Sequence, residues 1–375
     1  MAALRKIDEK AIKTTQRFII GDASGMDELG DASIDLVVTS PPYPMIEMWD
    51  EILSAQDARI AKALAQNNGA QAFEWMHQIL DGVWRELFRV VKPGGIVCIN
   101  IGDATRSLGG EFELYSNHSR IVQAFLKLGF SNLPNILWRK QTNAPNKFMG
   151  SGMYPPGAYV TLEHEYILVF RKGGKRVFKS VPEKLNRRRS AYFWEERNVW
   201  FSDVWDFKGV RQALANSFEK DLRERSAAFP FELAYRLINM FSVKNDLVLD
   251  PFLGTGTTLF AAAASCRNAV GYDLDEGLTA QIPKALTEQT VAALNKRIER
   301  RFQEHHAFVE KRTQEKGEHA FKYRSECYDF PLMTRQEREI FIHFLKNIRS
   351  QTEGVFEASY HDTPAQSATR QKTLF

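Results

Sequence analysis

Two spacings of apolar residues run through the chain. Arg17 to Ile20, ending at Gly21-Asp22, and Ile34 to Thr39 are short apolar runs, the pattern of strands buried on both faces of a parallel sheet. Phe73 to Val91 instead places Trp75, Ile79, Val83, Leu87 and Val90 at helical spacing. Pro93-Gly94-Gly95 then breaks the pattern, and Ile96 to Ile101 resumes as a strand, which completes a βαβ unit. Ser119 to Leu128 reads as a further helix, with strands at Ile136 to Arg139 and Tyr166 to Arg171. Phe231 to Phe241 is helical, Leu247 to Leu249 is a strand entering a glycine-rich turn, Leu259 to Ala264 starts the next helix, and Ala269 to Leu274 is a strand. Strands alternating with helices in this way predict a doubly wound α/β sheet with helices on both faces.

Two stretches depart from the alternation. Lys172 to Asp206 mixes basic and aromatic residues, with Arg187, Arg188 and Arg189 just before Tyr192, Phe193 and Trp194. After about Gly277 the pattern is helical and highly charged to about Ser350, and a polar tail to Phe375 is expected to be disordered. The expected divisions are therefore a first half of the sheet over 17–171, a basic segment over 172–211, a second half over 212–280, a helical region over 281–350 and a tail over 351–375.

At 375 residues the chain can bury a full enzyme core with an accessory domain. Its composition, 44% hydrophobic and 26% charged, is that of an ordinary globular protein. No apolar run is long enough to span a bilayer, and the start is too polar for a signal peptide, so a cytoplasmic protein without a membrane partner is expected. Cys98, Cys266 and Cys327 lie far apart, which suggests neither a disulfide framework nor a zinc site; no metal is expected. The net charge of +4 is modest but uneven. Arg171 to Arg211 holds twelve Lys and Arg against five Asp and Glu, so the rest of the chain is net acidic.

Candidate chemistry sits in two turns that follow strands. In Asp250-Pro251-Phe252-Leu253-Gly254-Thr255-Gly256-Thr257-Thr258 the glycines let the backbone approach a ligand and present helix N-terminal amides to it. Asp273 ends the next strand 17 residues after Gly256, where a carboxylate can take the ribose hydroxyls of a nucleoside cofactor. In Thr39-Ser40-Pro41-Pro42-Tyr43 two prolines remove two donors and leave carbonyl acceptors. Such a turn suits a planar substrate with an exocyclic amine: Tyr43 stacks on the ring, while Ser40 and a proline carbonyl accept its N–H bonds.

Together these residues resemble the amino-methylating, site-specific DNA methyltransferases that use S-adenosyl-L-methionine. The turn at Asp250 is similar to their cofactor motif. Thr39 to Tyr43 resembles their catalytic motif in its cytosine-N4 form, adenine-modifying relatives more often carrying Asp or Asn at the position of Ser40. Catalytic motif, basic variable stretch and cofactor motif, in that order, resemble the β group of the family.

The resemblance implies a Rossmann-like methyltransferase sheet with a catalytic half, a target-recognition segment over 172–211 and a cofactor half. It implies catalytic roles for Ser40, Pro41, Pro42 and Tyr43, and cofactor contacts from Asp22, Phe229, Asp250, Pro251, Phe252, Gly254, Gly256, Thr257 and Asp273. Arg187, Arg188 and Arg189 are expected to meet phosphates of double-stranded DNA. The implied activity is methylation of cytosine N4 on a flipped-out base, paired with a restriction endonuclease. Two alternatives stay open: adenine-N6 methylation on the same fold, and a non-catalytic nucleic-acid-binding protein. Methylation at cytosine carbon-5 needs a thiolate, normally from a Pro-Cys pair, and here Val97, Ser265 and Glu326 precede the cysteines. Met45 to Asn68 is expected to be a mobile loop over the target base. The helical region from about Ala280 suits either a second recognition element or a homodimer surface.

Overall fold

The computed structural model describes residues 12–140, 149–207 and 229–362. Positions 208–228, which include Arg211 and the opening of the expected cofactor half, and positions 363–375 of the expected tail lie outside the described residues. Ten strands form one sheet: β1 (Lys13–Ile20), β2 (Ile34–Thr39), β3 (Val91–Ile101), β4 (Phe130–Arg139), β5 (His164–Lys172), β6 (Val204–Asp206), β7 (Leu247–Asp250), β8 (Asn268–Asp273), β9 (Leu345–Thr352) and β10 (Val355–Tyr360). Their spatial order is β6-β4-β5-β3-β2-β7-β8-β1-β10-β9.

The five strands from β3 to β1 in that order are mutually parallel. Strand β5 runs antiparallel between β3 and β4, and β10 runs antiparallel to β1. All six residues of β2 are buried, as its unbroken apolar pattern requires of a strand covered on both faces.

Helices α1 (Asp50–Gln56), α2 (Ala58–Ala65), α3 (Gly69–Val90), α4 (Asn117–Leu128), α5 (Val181–Arg189), α6 (Trp194–Trp200), α7 (Phe231–Phe241), α8 (Thr257–Ala264) and α9 (Glu288–Lys316) complete the framework. On one face Trp84 and Leu87 of α3 and Phe125 of α4 pack over Val97, Ile99 and Phe170. On the other, Leu233 and Leu237 of α7, Ala261 of α8 and Phe302 of α9 join Leu36, Val38 and Cys98 in a second core. The chain moves through α3 from β2 to β3 in one direction, and through α8 from β7 to β8 in the other. The junction of β2 and β7 is therefore where the winding reverses and a crevice opens at the carboxyl edge.

Several expectations are corrected here. Residues 45–68 are not a bare loop: α1 and α2 occupy most of them, seating Leu53, Ile60 and Ala63 against Met76 of α3 in a third apolar cluster. The region after 281 is helical only through α9; short strands follow, and β9 and β10 form a hairpin that extends the main sheet. The expected tail from 351 thus contains the whole of β10, whose Phe356, Ala358 and Tyr360 alternate inward. The segment 172–211 contributes β6 to the sheet edge beside β4.

Candidate active site

Both motif turns leave the same sheet edge from adjacent strands. Val248 pairs with Leu36 and Leu249 with Val37, which brings Thr39 beside Asp250. Thr39 Oγ1 donates to Asp250 Oδ1 at 2.6 Å, Thr258 Oγ1 to Oδ2 at 2.5 Å and the Phe252 amide to Oδ1 at 3.1 Å. Asp250 is buried and ties the two turns to each other. Burial raises its pKa to about 6 against the opposing pull of these donors.

Gly254 and Gly256 both adopt positive φ, +55° and +84°, and a side chain added at Gly254 would meet nothing within 4 Å. The Gly254 amide donates to Asp273 Oδ2 at 2.6 Å and the Asp275 amide to Oδ1 at 2.9 Å. Asp273 is thereby aimed by the turn, partly exposed at the end of β8, and each oxygen keeps a further lone pair. Burial is the main cause that holds its carboxyl above the ordinary range. The Gly21 amide donates to the Asp273 carbonyl at 2.9 Å, which sets exposed Asp22 next to it on one wall of an open polar hollow shared with Ser24, Gln56, Gln78 and Arg85.

The remaining expected cofactor residues divide. Pro251 and Phe229 are buried, Phe252 meets Trp84 edge-on at 6.1 Å, and Thr257 opens α8 half-exposed.

At the end of β2, Ser40 Oγ donates to Tyr43 Oη at 3.1 Å, and Tyr43 Oη donates to Glu165 Oε2 at 3.0 Å. Asn100 Nδ2 donates to both Tyr43 Oη, at 2.8 Å, and Glu165 Oε2, at 2.6 Å. Lys140, just beyond β4, pairs with the other oxygen of Glu165. Burial, then the charge of Glu165, pushes the Tyr43 phenol well above its ordinary range. The Tyr43 ring lies against Gly102, where a Cβ would come within 3.1 Å of ring carbon Cε2.

Behind the turn Asn117 Nδ2 donates to the Pro44 carbonyl at 3.1 Å and the Gly102 carbonyl at 2.9 Å. His77 Nε2 in turn contacts Asn117 Oδ1 at 3.0 Å. Burial depresses the His77 pKa to about 3.

Arg187, Arg188 and Arg189 are not brought to these turns. They close α5 at the opposite, amino-terminal edge: Arg187 lies over Phe178, Arg188 pairs with Glu339, and Arg189 lies over Phe341. Asn186 donates to the Lys244 carbonyl just before β7, and Arg176 clamps Asp246 at 2.6 and 2.9 Å. The cause is topological, since β5 runs antiparallel to β3 and releases the chain at that edge.

The sequence reading did not single out Asn100, Lys140 or Glu165, and it named Thr258 only as part of the glycine-rich turn, without a role. The signal available was a polar residue near the carboxyl-edge end of an otherwise apolar strand, as in Ile96 to Ile101 and in Glu165 to Phe170.

A sequence model of the N6/N4 DNA methylase family matches residues 34–284, from β2 to beyond β8. The chain belongs to this family. The methylase is 50% identical over 353 residues to the type II methyltransferase M.MthZI of Methanothermobacter thermautotrophicus, covering 94% of this chain and 96% of that relative. Over 298 residues it is 48% identical to M.MjaI of Methanocaldococcus jannaschii, covering 76% and 94%. The protein TTHA0409 of Thermus thermophilus, solved in complex with S-adenosyl-L-methionine, is 33% identical with a TM-score of 0.55, covering 72% of this chain and 92% of that one. Among the described residues no helix is long and apolar enough to cross a membrane, and no group of three or more His, Cys, Asp or Glu is arranged to hold a metal ion.

Proposed function

We propose that this methylase transfers a methyl group from S-adenosyl-L-methionine to the exocyclic N4 amine of a cytosine flipped out of double-stranded DNA. It does so within a short specific site, as the modification partner of a restriction endonuclease. The observation that carries the reading is the bond between Thr39 and Asp250, which locks the Ser40-Pro41-Pro42-Tyr43 turn beside the glycine turn at the carboxyl edge. Its type II relatives support the pairing with an endonuclease, and serine at position 40 supports cytosine over adenine.

The residues present fit the cofactor. Open space beside Gly254 admits a ligand against the backbone, Asp273 is aimed to receive ribose hydroxyls, and Asp22 lies next to it to face the adenine. When bound, S-adenosyl-L-methionine supplies an electrophilic methyl group on sulfur. Ser40 Oγ and a proline carbonyl accept the two N–H bonds of the amine and draw its nitrogen toward tetrahedral geometry. The base rests on the ring of Tyr43, which offsets part of the few kcal/mol that flipping requires.

DNA meets the rim of the crevice rather than the three arginines of α5. The described residues 149–163, which lead into β5, lie at this edge with Met153, Tyr154 and Val160 exposed by 82%, 79% and 84%. Tyr159 of the same segment stacks on Phe112 at 4.3 Å.

Incubation of the protein with mixed-sequence DNA and S-adenosyl-L-methionine, followed by nucleoside mass spectrometry, tests the assignment. N4-methylcytosine is expected. N6-methyladenine would overturn the choice of base, and the absence of any methylated nucleoside would overturn the activity.

A further inference from the structure

Tyr43 Oη holds three hydrogen bonds at once, and a phenol has one proton and two lone pairs to offer. Glu165 takes the proton; Ser40 and Asn100 fill the lone pairs. Glu165 itself is buried, its Oε2 facing Tyr43 and Asn100 and its Oε1 facing Lys140, so all its neighbours are donors. An ionised carboxylate can only accept. It therefore fixes the direction of the chain, with the Ser40 proton pointing at Tyr43 and the Tyr43 proton pointing at Glu165. Ser40 is left to show its substrate nothing but lone pairs. A lone serine hydroxyl rotates freely and has no such preference.

We infer that Glu165 is a positioning residue that polarises Ser40 through Tyr43 and receives, along the same chain, the proton shed by the methylated amine. This rests on the proposed amine methylation. Once the nitrogen carries its new methyl group it is positively charged, and its N–H bond breaks with the electron pair staying on nitrogen. That proton bonds to Ser40 Oγ while the original Ser40 proton passes to Tyr43 Oη. The original Tyr43 proton passes to Glu165 Oε2, which becomes a neutral carboxylic acid. Every hydroxyl ends as it began, with one proton, and Glu165 alone has changed. It is recharged by loss of the proton to water at its Lys140 side, where the Lys140 side chain is 43% exposed.

Glu165→Gln keeps the shape but not the direction. With its carbonyl turned to Lys140, a donor only, the new amide presents N–H to Tyr43, which must then donate to Ser40 and turn the Ser40 proton toward the substrate. The experiment measures single-turnover methylation of DNA for the parent, Glu165→Gln, Glu165→Asp, Tyr43→Phe and the Glu165→Gln/Tyr43→Phe double variant, with thermal unfolding and cofactor titration as controls. Glu165→Gln should lose at least tenfold in rate while cofactor affinity stays within about twofold, and Glu165→Asp, which keeps the accepting charge, should recover part of that rate. Tyr43→Phe, which cuts the chain at its middle, should lose rate similarly, and the double variant should be no slower than the worse single one.

A Glu165→Gln variant with the parent's rate overturns the inference, as does a double variant markedly slower than the worse single one. Failure of the underlying reading looks different, because the parent itself would then form no methylated amine.

Discussion

His77 carries no chemistry of its own, yet it braces the catalytic turn through Asn117, which grips the carbonyls of Pro44 and Gly102. Its pKa falls from an ordinary 6.5 to about 3 because burial disfavours the charged ring. The unfolded chain therefore takes up a proton near pH 6.5 that the folded protein refuses. Stability is complete above that pH and falls by about 1.4 kcal/mol per unit as pH drops toward the folded value. Urea unfolding at pH 7 and pH 5 should show the parent losing roughly 2 kcal/mol more than His77→Gln, which keeps a donor for Asn117 but cannot titrate. Equal losses would remove His77 from the account. At this scale the sequence was partly legible: a serine, two prolines and a tyrosine after a buried strand announced a site for an amine. Nothing local announced that the tyrosine hydroxyl is anchored by Asn100 and Glu165, because those partners come from β3 and β5 and meet it only once the sheet has formed.

Helices α6 and α9 are joined by a buried ion pair. Arg301 Nε and Nη2 donate to Glu196 Oε1 and Oε2 at 2.6 and 2.8 Å, both side chains are nearly inaccessible, and Glu196 also accepts from the Phe193 amide at 2.9 Å. Removing one partner of such a pair strands a charge in the interior. Arg301→Ala should therefore destabilise the protein by about 3–5 kcal/mol, and adding Glu196→Gln should recover part of the loss by neutralising what remains. Thermal unfolding of the two variants checks this, and a double variant no more stable than Arg301→Ala would contradict it. Elements with a long period or a continuous apolar run were readable in advance, as α3 and β2 were. Strand β1 starts earlier than its apolar run because polar Thr14 and Gln16 are buried too, Thr14 meeting Tyr360 at 2.7 Å. The hairpin of β9 and β10 escaped because β9 has one mostly solvent-exposed side and few apolar residues, although Val355 to Tyr360 does alternate.

For the molecule as a whole, the concentration of positive charge in 171–211 was evident from composition, but its destination was not, because strand direction decides which edge the chain leaves. Arg187, Arg188 and Arg189 hold α5 to Phe178, Glu339 and Phe341 on the edge away from the crevice. Replacing all three with alanine should lower the unfolding midpoint while leaving DNA affinity and its dependence on salt within about twofold of the parent, if DNA meets the rim of the crevice as proposed. A salt slope flattened by one or more units would return the DNA surface to this segment. Lys13 pairs with Ser359 across β1 and β10, so the two ends of the described chain lie side by side in one sheet. Splicing them together and cutting at the exposed Gly173-Gly174 turn would yield a circular permutant that reads the glycine turn first and the Ser40 turn second without displacing a strand. To this architecture the linear order of its motifs is a matter of genetic history, which rearrangement can rewrite while the crevice stays as it is.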